Sequence, residues 1–222
     1  MTIAIPSVNR LPAAERGITI GDFLVPISVG ERMSSRVKNL ALVVTGALLI
    51  ALSANVVIPI PGSPVPITGQ TFAVLLVGGA LGLRRGAAAS LLYLAMGLVL
   101  PVYAGQASGL DTFASREGGQ LVLGATGGYL IGFVVASAIV GWLAECGWDR
   151  RYGGAVLAMA IGNAVIYLVG IPWLMLATGF PLEQAIGTGL APFIVGDLLK
   201  LFLAASLFPV AWWMVGRLPS AR

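Results

Sequence analysis

Residues 188–214 read TGLAPFIVGDLLKLFLAASLFPVAWWM, an apolar run broken by one acid and one base, Asp197 and Lys200. The run exceeds the roughly 20 residues that a helix needs to cross a hydrocarbon core about 30 Å thick, so it reads as a membrane span. On a helix, residues three apart project from one face about a turn from each other, which lets the two charges pair. A charge at the centre of a span costs at least about 2.5 kcal/mol, so the pair belongs in the bundle interior or a cavity, away from lipid. Pro192 and Gly196 sit nearby and can interrupt the helix start, releasing backbone groups to a ligand. Asp197 and Lys200 are therefore candidate substrate-binding residues, against the plainer alternative of a neutralising pair that only orients the helix.

The rest of the chain shares that solvent. Of 222 residues, 58% are hydrophobic and 10% charged, and the mean hydropathy is +0.94, well outside the range of a soluble domain. Further apolar segments lie at 39–58, 68–83, 86–101, 121–143 and 153–176, which predicts six spans. Turn-rich stretches separate them, the longest being YAGQASGLDTFASREGG, residues 103–119, between the third and the fourth. The second and third segments are short and tightly joined, so a re-entrant hairpin is the alternative there. With the N-terminus inside, Arg10, Arg16, Arg32, Arg36, Lys38, Arg84, Arg85, Arg150, Arg151, Arg217 and Arg222 all fall on the cytoplasmic side. Only Arg116 lies outside and Lys200 within a span. The expectation is an all-α integral membrane protein with both termini cytoplasmic. Residues 1–35 form a tail at the membrane surface without a cleavable signal pattern, and residues 36–222 form the six-helix domain.

Composition also excludes chemistry. There is no His, and the single Cys146 leaves no imidazole or thiolate metal cluster and no internal disulfide. Without His, no nucleophile with an adjacent base can be assembled, so the chain reads as a carrier or binder and not an enzyme, with no metal and no cofactor. The basic residues are scattered among helix ends, which argues against a nucleic-acid partner and for a lipid surface. No phosphate-cradling glycine loop is present, so any ATP use must come from another chain.

Asn163 and Tyr167, four apart in the fifth segment, share a helix face and offer an amide and an aromatic wall with a polar tip. The long loop carries Tyr103, Gln106 and Arg116, and a loop of that length over a pocket can act as its roof. It leads into GATGGYLIGF, residues 124–133, where Thr126 can cap a helix start that favours an anionic group, with Gly128 and Tyr129 beside it. Together these residues suit a small, partly apolar solute entering from outside. Ala47 and Ala51 form one of several small-residue pairs that let helices approach closely, within the chain or against a partner.

Five stretches carry a resemblance: VPITGQTFAVLL (65–76), LPVYAG (100–105), GATGGYLIGF (124–133), IGNAVIYLVGIPWL (161–174) and PFIVGDLLK (192–200). In order and spacing, from about residue 57 to 205, the chain resembles the BioY family, the biotin-specific S components of energy-coupling factor (ECF) transporters. One departure is Ala125, where the family usually has Pro. The resemblance implies the six-helix S-component fold, multi-pass in the bacterial cytoplasmic membrane, capturing biotin with high affinity on the outer side. It implies that Asp197, Asn163 and Lys200 meet the ureido ring, and that a cation near the loop, Arg116, meets the carboxylate. It also implies that Ala47 and Ala51 dock a transmembrane coupling subunit and that two ATPase subunits supply the energy. The competing reading is a stand-alone secondary transporter of biotin or another small carboxylate, with Asp197 as its proton site.

Overall fold

The computed structural model describes residues 18–24, 34–117 and 120–215. Most of the N-terminal tail and residues 216–222, on which the expected orientation of the termini depends, lie outside the described residues.

Its helices are α1 (Gly21–Leu24), α2 (Ser35–Ser53), α3 (Gln70–Gly97), α4 (Gly127–Glu145), α5 (Tyr152–Thr178), α6 (Leu182–Gly189) and α7 (Ile194–Val215). Among the described residues, five helical segments are long and apolar enough to cross a membrane. Ser34 starts α2 as an N-cap, its hydroxyl accepting from the Val37 amide at 3.4 Å.

The 28-residue helix α3 is in fact folded back on itself. At Gly82 the backbone takes φ 84° and ψ 178°, a conformation that side chains resist, and a Cβ there would stand 2.5 Å from Glu145 Oε1. The reversal makes Gln70 donate to the hydroxyl of Tyr93, which a straight helix would hold roughly 35 Å away at its usual rise. A Cβ on Gly86 would likewise lie 2.9 Å from the Gly78 Cα. The two arms of α3 therefore correspond to the second and third apolar segments, joined by a turn instead of a loop. That turn reaches the level of the α4 C-terminus, where the Leu83 amide donates to Glu145 Oε1 at 2.8 Å.

Helix α3 packs on α2 and α4, α4 on α5, and α5 on α7. Small residues make the closest seams: a Cβ on Gly78 would meet the Ser137 carbonyl at 2.7 Å, and one on Gly132 would meet Ile166 at 3.1 Å. Ile50, Val74, Val140, Met159 and Phe208 fill the interior. Leu40, Leu52, Leu168, Leu176, Val195 and Leu199 point outward, as a lipid solvent requires.

The expectation of helices alone needs correcting at one pole. Strands β1 (Val57–Ile58) and β2 (Ile67–Thr68) pair antiparallel, as do β3 (Ala114–Glu117) and β4 (Gln120–Leu123). Residues 121–123, expected to open the fourth span, belong to β4, and α4 starts only at Gly127. Apolar residues in these hairpins copy the composition of a span without its length. The opposite pole gathers Lys38, Arg85, Glu145 and Asp149. There the Lys38 ammonium donates to the Asp22 carbonyl at 2.9 Å, and Arg85 pairs with the Asp22 carboxylate at 2.8 Å.

Candidate functional site

A mainly apolar cavity of about 710 Å³, counting its open mouth, lies at the hairpin-bearing pole. Val65, Pro66 and Thr68 from the first hairpin line one side, with Leu130, Phe133 and Tyr129 of α4 facing them. Tyr103, Ala104, Ala107 and Thr112 place the long loop on its rim. Its polar end holds Gln70, Thr71, Tyr167, Asp197 and Lys200.

Asp197 organises that end. It sits in the first turn of α7, where the helix dipole favours an anion, just after the Ala191–Phe193 turn that Pro192 starts. Only 4% of its surface is exposed, so its carboxylate needs partners, and it has four. The Lys200 ammonium donates to Oδ1 at 3.2 Å and the Thr71 hydroxyl to the same atom at 3.3 Å. The Asn163 amide donates to Oδ2 at 3.3 Å, and the Tyr167 hydroxyl donates to it as well. The spacing of Asn163 and Tyr167 thus brings both to one oxygen. Lys200 is as fully engaged, donating also to the Thr68 carbonyl at 2.7 Å and the Thr71 hydroxyl at 3.2 Å.

The other candidate residues divide. Tyr103 lines the cavity and is 2% exposed. Its hydroxyl donates to the Leu94 carbonyl at 2.6 Å, and its ring occupies the space where a Gly97 side chain would project. Burial pushes the Tyr103 phenol above its ordinary value, so it stays a donor at neutral pH. Tyr129 lines the cavity and donates to the Gly189 carbonyl at 2.9 Å. Asn163 stands behind Asp197 and is not itself a lining residue. Thr126 lines the cavity and occupies the N-cap position of α4, but its side chain makes no capping bond.

Gly128 faces away: a side chain there would run into Trp173 of α5, so the glycine serves helix packing. Gln106 and Arg116 are exposed and outside the cavity lining, Gln106 at a left-handed φ of 62° in the loop and Arg116 on β3. Ala47 and Ala51 are 0% and 7% exposed. Their helix face packs inside the chain, with Gly46 beside them pressed against Val77 and Ala89 of α3.

Thr68, Gln70, Thr71 and Tyr93 were absent from the candidates read in the sequence. For the first three a signal is present: the polar side chains of PITGQT open an apolar segment, a costly placement unless they have partners or a ligand, whereas nothing around Tyr93 marks it.

Comparisons agree with this geometry. The sequence model of the BioY family matches residues 28–217. A protein of Thermotoga maritima named biotin transporter BioY is 35% identical over 149 residues, covering 67% of this chain and 81% of its own length. The biotin transporter BioY of Rhizobium etli is 34% identical, over 72% of this chain and 85% of its own. Among solved structures, the S component for biotin from an ECF-type ABC transporter superposes with a TM-score of 0.71 at 26% identity, covering 82% of this chain and 95% of that one. With a family match over most of its length, relatives above 30% identity and a shared fold, the chain belongs to the BioY family.

Proposed function

We propose that this chain is the high-affinity biotin-capturing S component of an ECF-type transporter, taking up biotin across the bacterial cytoplasmic membrane. The observation that carries the reading is the Asp197 cluster, a buried carboxylate held by Lys200, Thr71, Asn163 and Tyr167 at the polar end of an otherwise apolar cavity. Biotin has matching parts: a planar ureido group for the polar end, an apolar bicycle for the walls around Phe133 and Ile166, and a carboxylate for the mouth. The names of the relatives support the same ligand.

We propose six spans with both termini cytoplasmic. Support comes from the Gly82 turn lying level with the end of α4, so that both arms of α3 travel the same depth as their neighbours. Arg84, Arg85, Arg150 and Arg151 gather at the pole opposite the cavity, the pattern of a cytoplasmic face. The cavity then opens outward. Energy comes from two ATPase subunits through a transmembrane coupling subunit, since this chain has no phosphate-cradling loop.

The stand-alone proton-driven reading gains no support from the site. Lys200, Thr71, Asn163 and Tyr167 hold the Asp197 carboxylate in one fixed geometry, which suits recognition of a solute. The test is uptake of labelled biotin in cells with and without the coupling and ATPase subunits. Accumulation that requires those subunits is expected, and full active uptake by this chain alone would overturn the assignment.

A further inference from the structure

Asp197 has no oxygen to spare, and every ammonium proton of Lys200 is committed, so another group must accept from a ligand N–H at this end of the cavity. Gln70 is that group by proton accounting. The Tyr93 hydroxyl lies 3.2 Å from the Val102 carbonyl, which can only accept, so Tyr93 gives its single proton there. The Tyr93 oxygen must then accept from Gln70, which fixes the Gln70 NH2 toward Tyr93 and turns its carbonyl oxygen the other way.

Gln70 lines the cavity and is 3% exposed, and among the described residues its carbonyl oxygen accepts from no one. It is not among the atoms sealed off without a partner, so it keeps a share of the cavity surface. Tyr93 is itself 0% exposed, so the amide is held from behind and cannot flip to present its NH2. An open acceptor on a rigid mount, in an apolar cavity, selects for a ligand with an N–H at that point.

We infer that the Gln70 carbonyl, and not Asp197, accepts a ureido N–H of the ligand, and that Tyr93 is the positioning residue that orients it. The inference rests on the biotin assignment above.

The experiment titrates purified protein in detergent with biotin and with its two N-methyl regioisomers, each lacking one ureido N–H. Wild type is expected to bind one regioisomer about ten- to a hundredfold more weakly than biotin, the size of one lost hydrogen bond in a dry site. Gln70→Leu and Gln70→Met should lose a similar factor for biotin and then bind that regioisomer about as well as biotin. Tyr93→Phe frees the amide to rotate and should give an intermediate loss. Ligand-free melting temperatures identify variants that fail to fold. Equal wild-type binding of biotin and both regioisomers overturns the inference without needing any variant, as does a methyl penalty that persists undiminished in Gln70→Leu. Absence of biotin binding by wild type would instead defeat the biotin assignment itself.

Discussion

Lys200 Nζ lies 3.2 Å from Asp197 Oδ1 and 2.7 Å from the Thr68 carbonyl, so one lysine fastens the start of α7 to the strand that leads into α3. The charged pair is therefore also a clamp between two elements far apart in sequence. Lys200→Met would leave a buried carboxylate without its counter-charge and release Thr68 and Thr71. Breaking such a pair from one side costs about 3 kcal/mol at the low end of the range, and the low end applies because the Lys200 side chain is 21% exposed. Biotin affinity is expected to fall about a hundredfold by titration. The Asp197→Leu/Lys200→Met double variant should melt higher than Lys200→Met alone, since it leaves no orphan charge. A Lys200→Met protein that binds biotin normally would remove the pair from recognition.

Gly97 is the seat of Tyr103, whose ring fills the place a side chain would take. Gly97→Ala must push that ring toward the cavity and disturb the loop root, where the Gly109 amide also donates to the Gly97 carbonyl at 2.8 Å. The expected result is at least tenfold weaker binding with the helical circular-dichroism signal retained, and partial recovery when Tyr103→Ala is added. Unchanged affinity in Gly97→Ala would show that the roof does not depend on this contact.

At the opposite pole, Asp22 holds Arg85 at 2.8 Å and accepts the Thr19 amide at 2.9 Å. Burial by itself would raise its pKa, but the Arg85 and Thr19 hydrogen bonds and the charges of Arg85 and Lys38 outweigh it and hold the carboxyl below its ordinary 3.8. A depressed carboxyl contributes stability above its unfolded value and loses it as pH falls through the folded one. Asp22→Asn should therefore melt a few degrees below wild type at pH 7, with the gap closing below about pH 4. A gap that stays constant with pH would mean the Asp22 charge contributes nothing.

Asp149 behaves oppositely. It is 2% exposed in the turn between α4 and α5, and burial pushes it up to about 7, against the partial relief of the Trp212 indole hydrogen bond at 2.7 Å and the charge of Arg150. A raised carboxyl is protonated in the folded protein where the unfolded chain is ionised, so stability falls as pH rises from about 4 to 7 and is level above. Asp149→Asn, which keeps an acceptor for Trp212, should gain more over wild type at pH 8 than at pH 5 in thermal melts. An equal gain at both values would contradict the burial account.

How much of this was legible in the sequence depends on the distance over which each contact is made. The apolar segments, the Asp197/Lys200 face and the Asn163/Tyr167 spacing are local, three or four residues apart, and helix periodicity brings them together. The partners that complete the cluster are not local: Thr68 and Thr71 reach α7 across 132 and 126 residues, and only folding supplies that register. The two small hairpins were hidden because Val57, Ile58 and Leu121 to Leu123 are as apolar as the spans they adjoin. For Ala47 and Ala51 the sequence gives a small face without saying whether its neighbour is inside or outside the chain; the structure buries both residues, with the adjacent Gly46 against Val77 and Ala89 of α3. Arg116 is the lone outer cation in the sequence, but charge alone does not aim a side chain, and on β3 it is exposed.

The most direct measurement of the central claim is calorimetric titration of the purified chain with biotin, desthiobiotin and lipoate. Saturable binding of one biotin per chain is expected. Desthiobiotin should follow because it keeps the ureido group, and lipoate should bind far more weakly because it has none. No heat from biotin, or lipoate bound as tightly as biotin, would contradict the account.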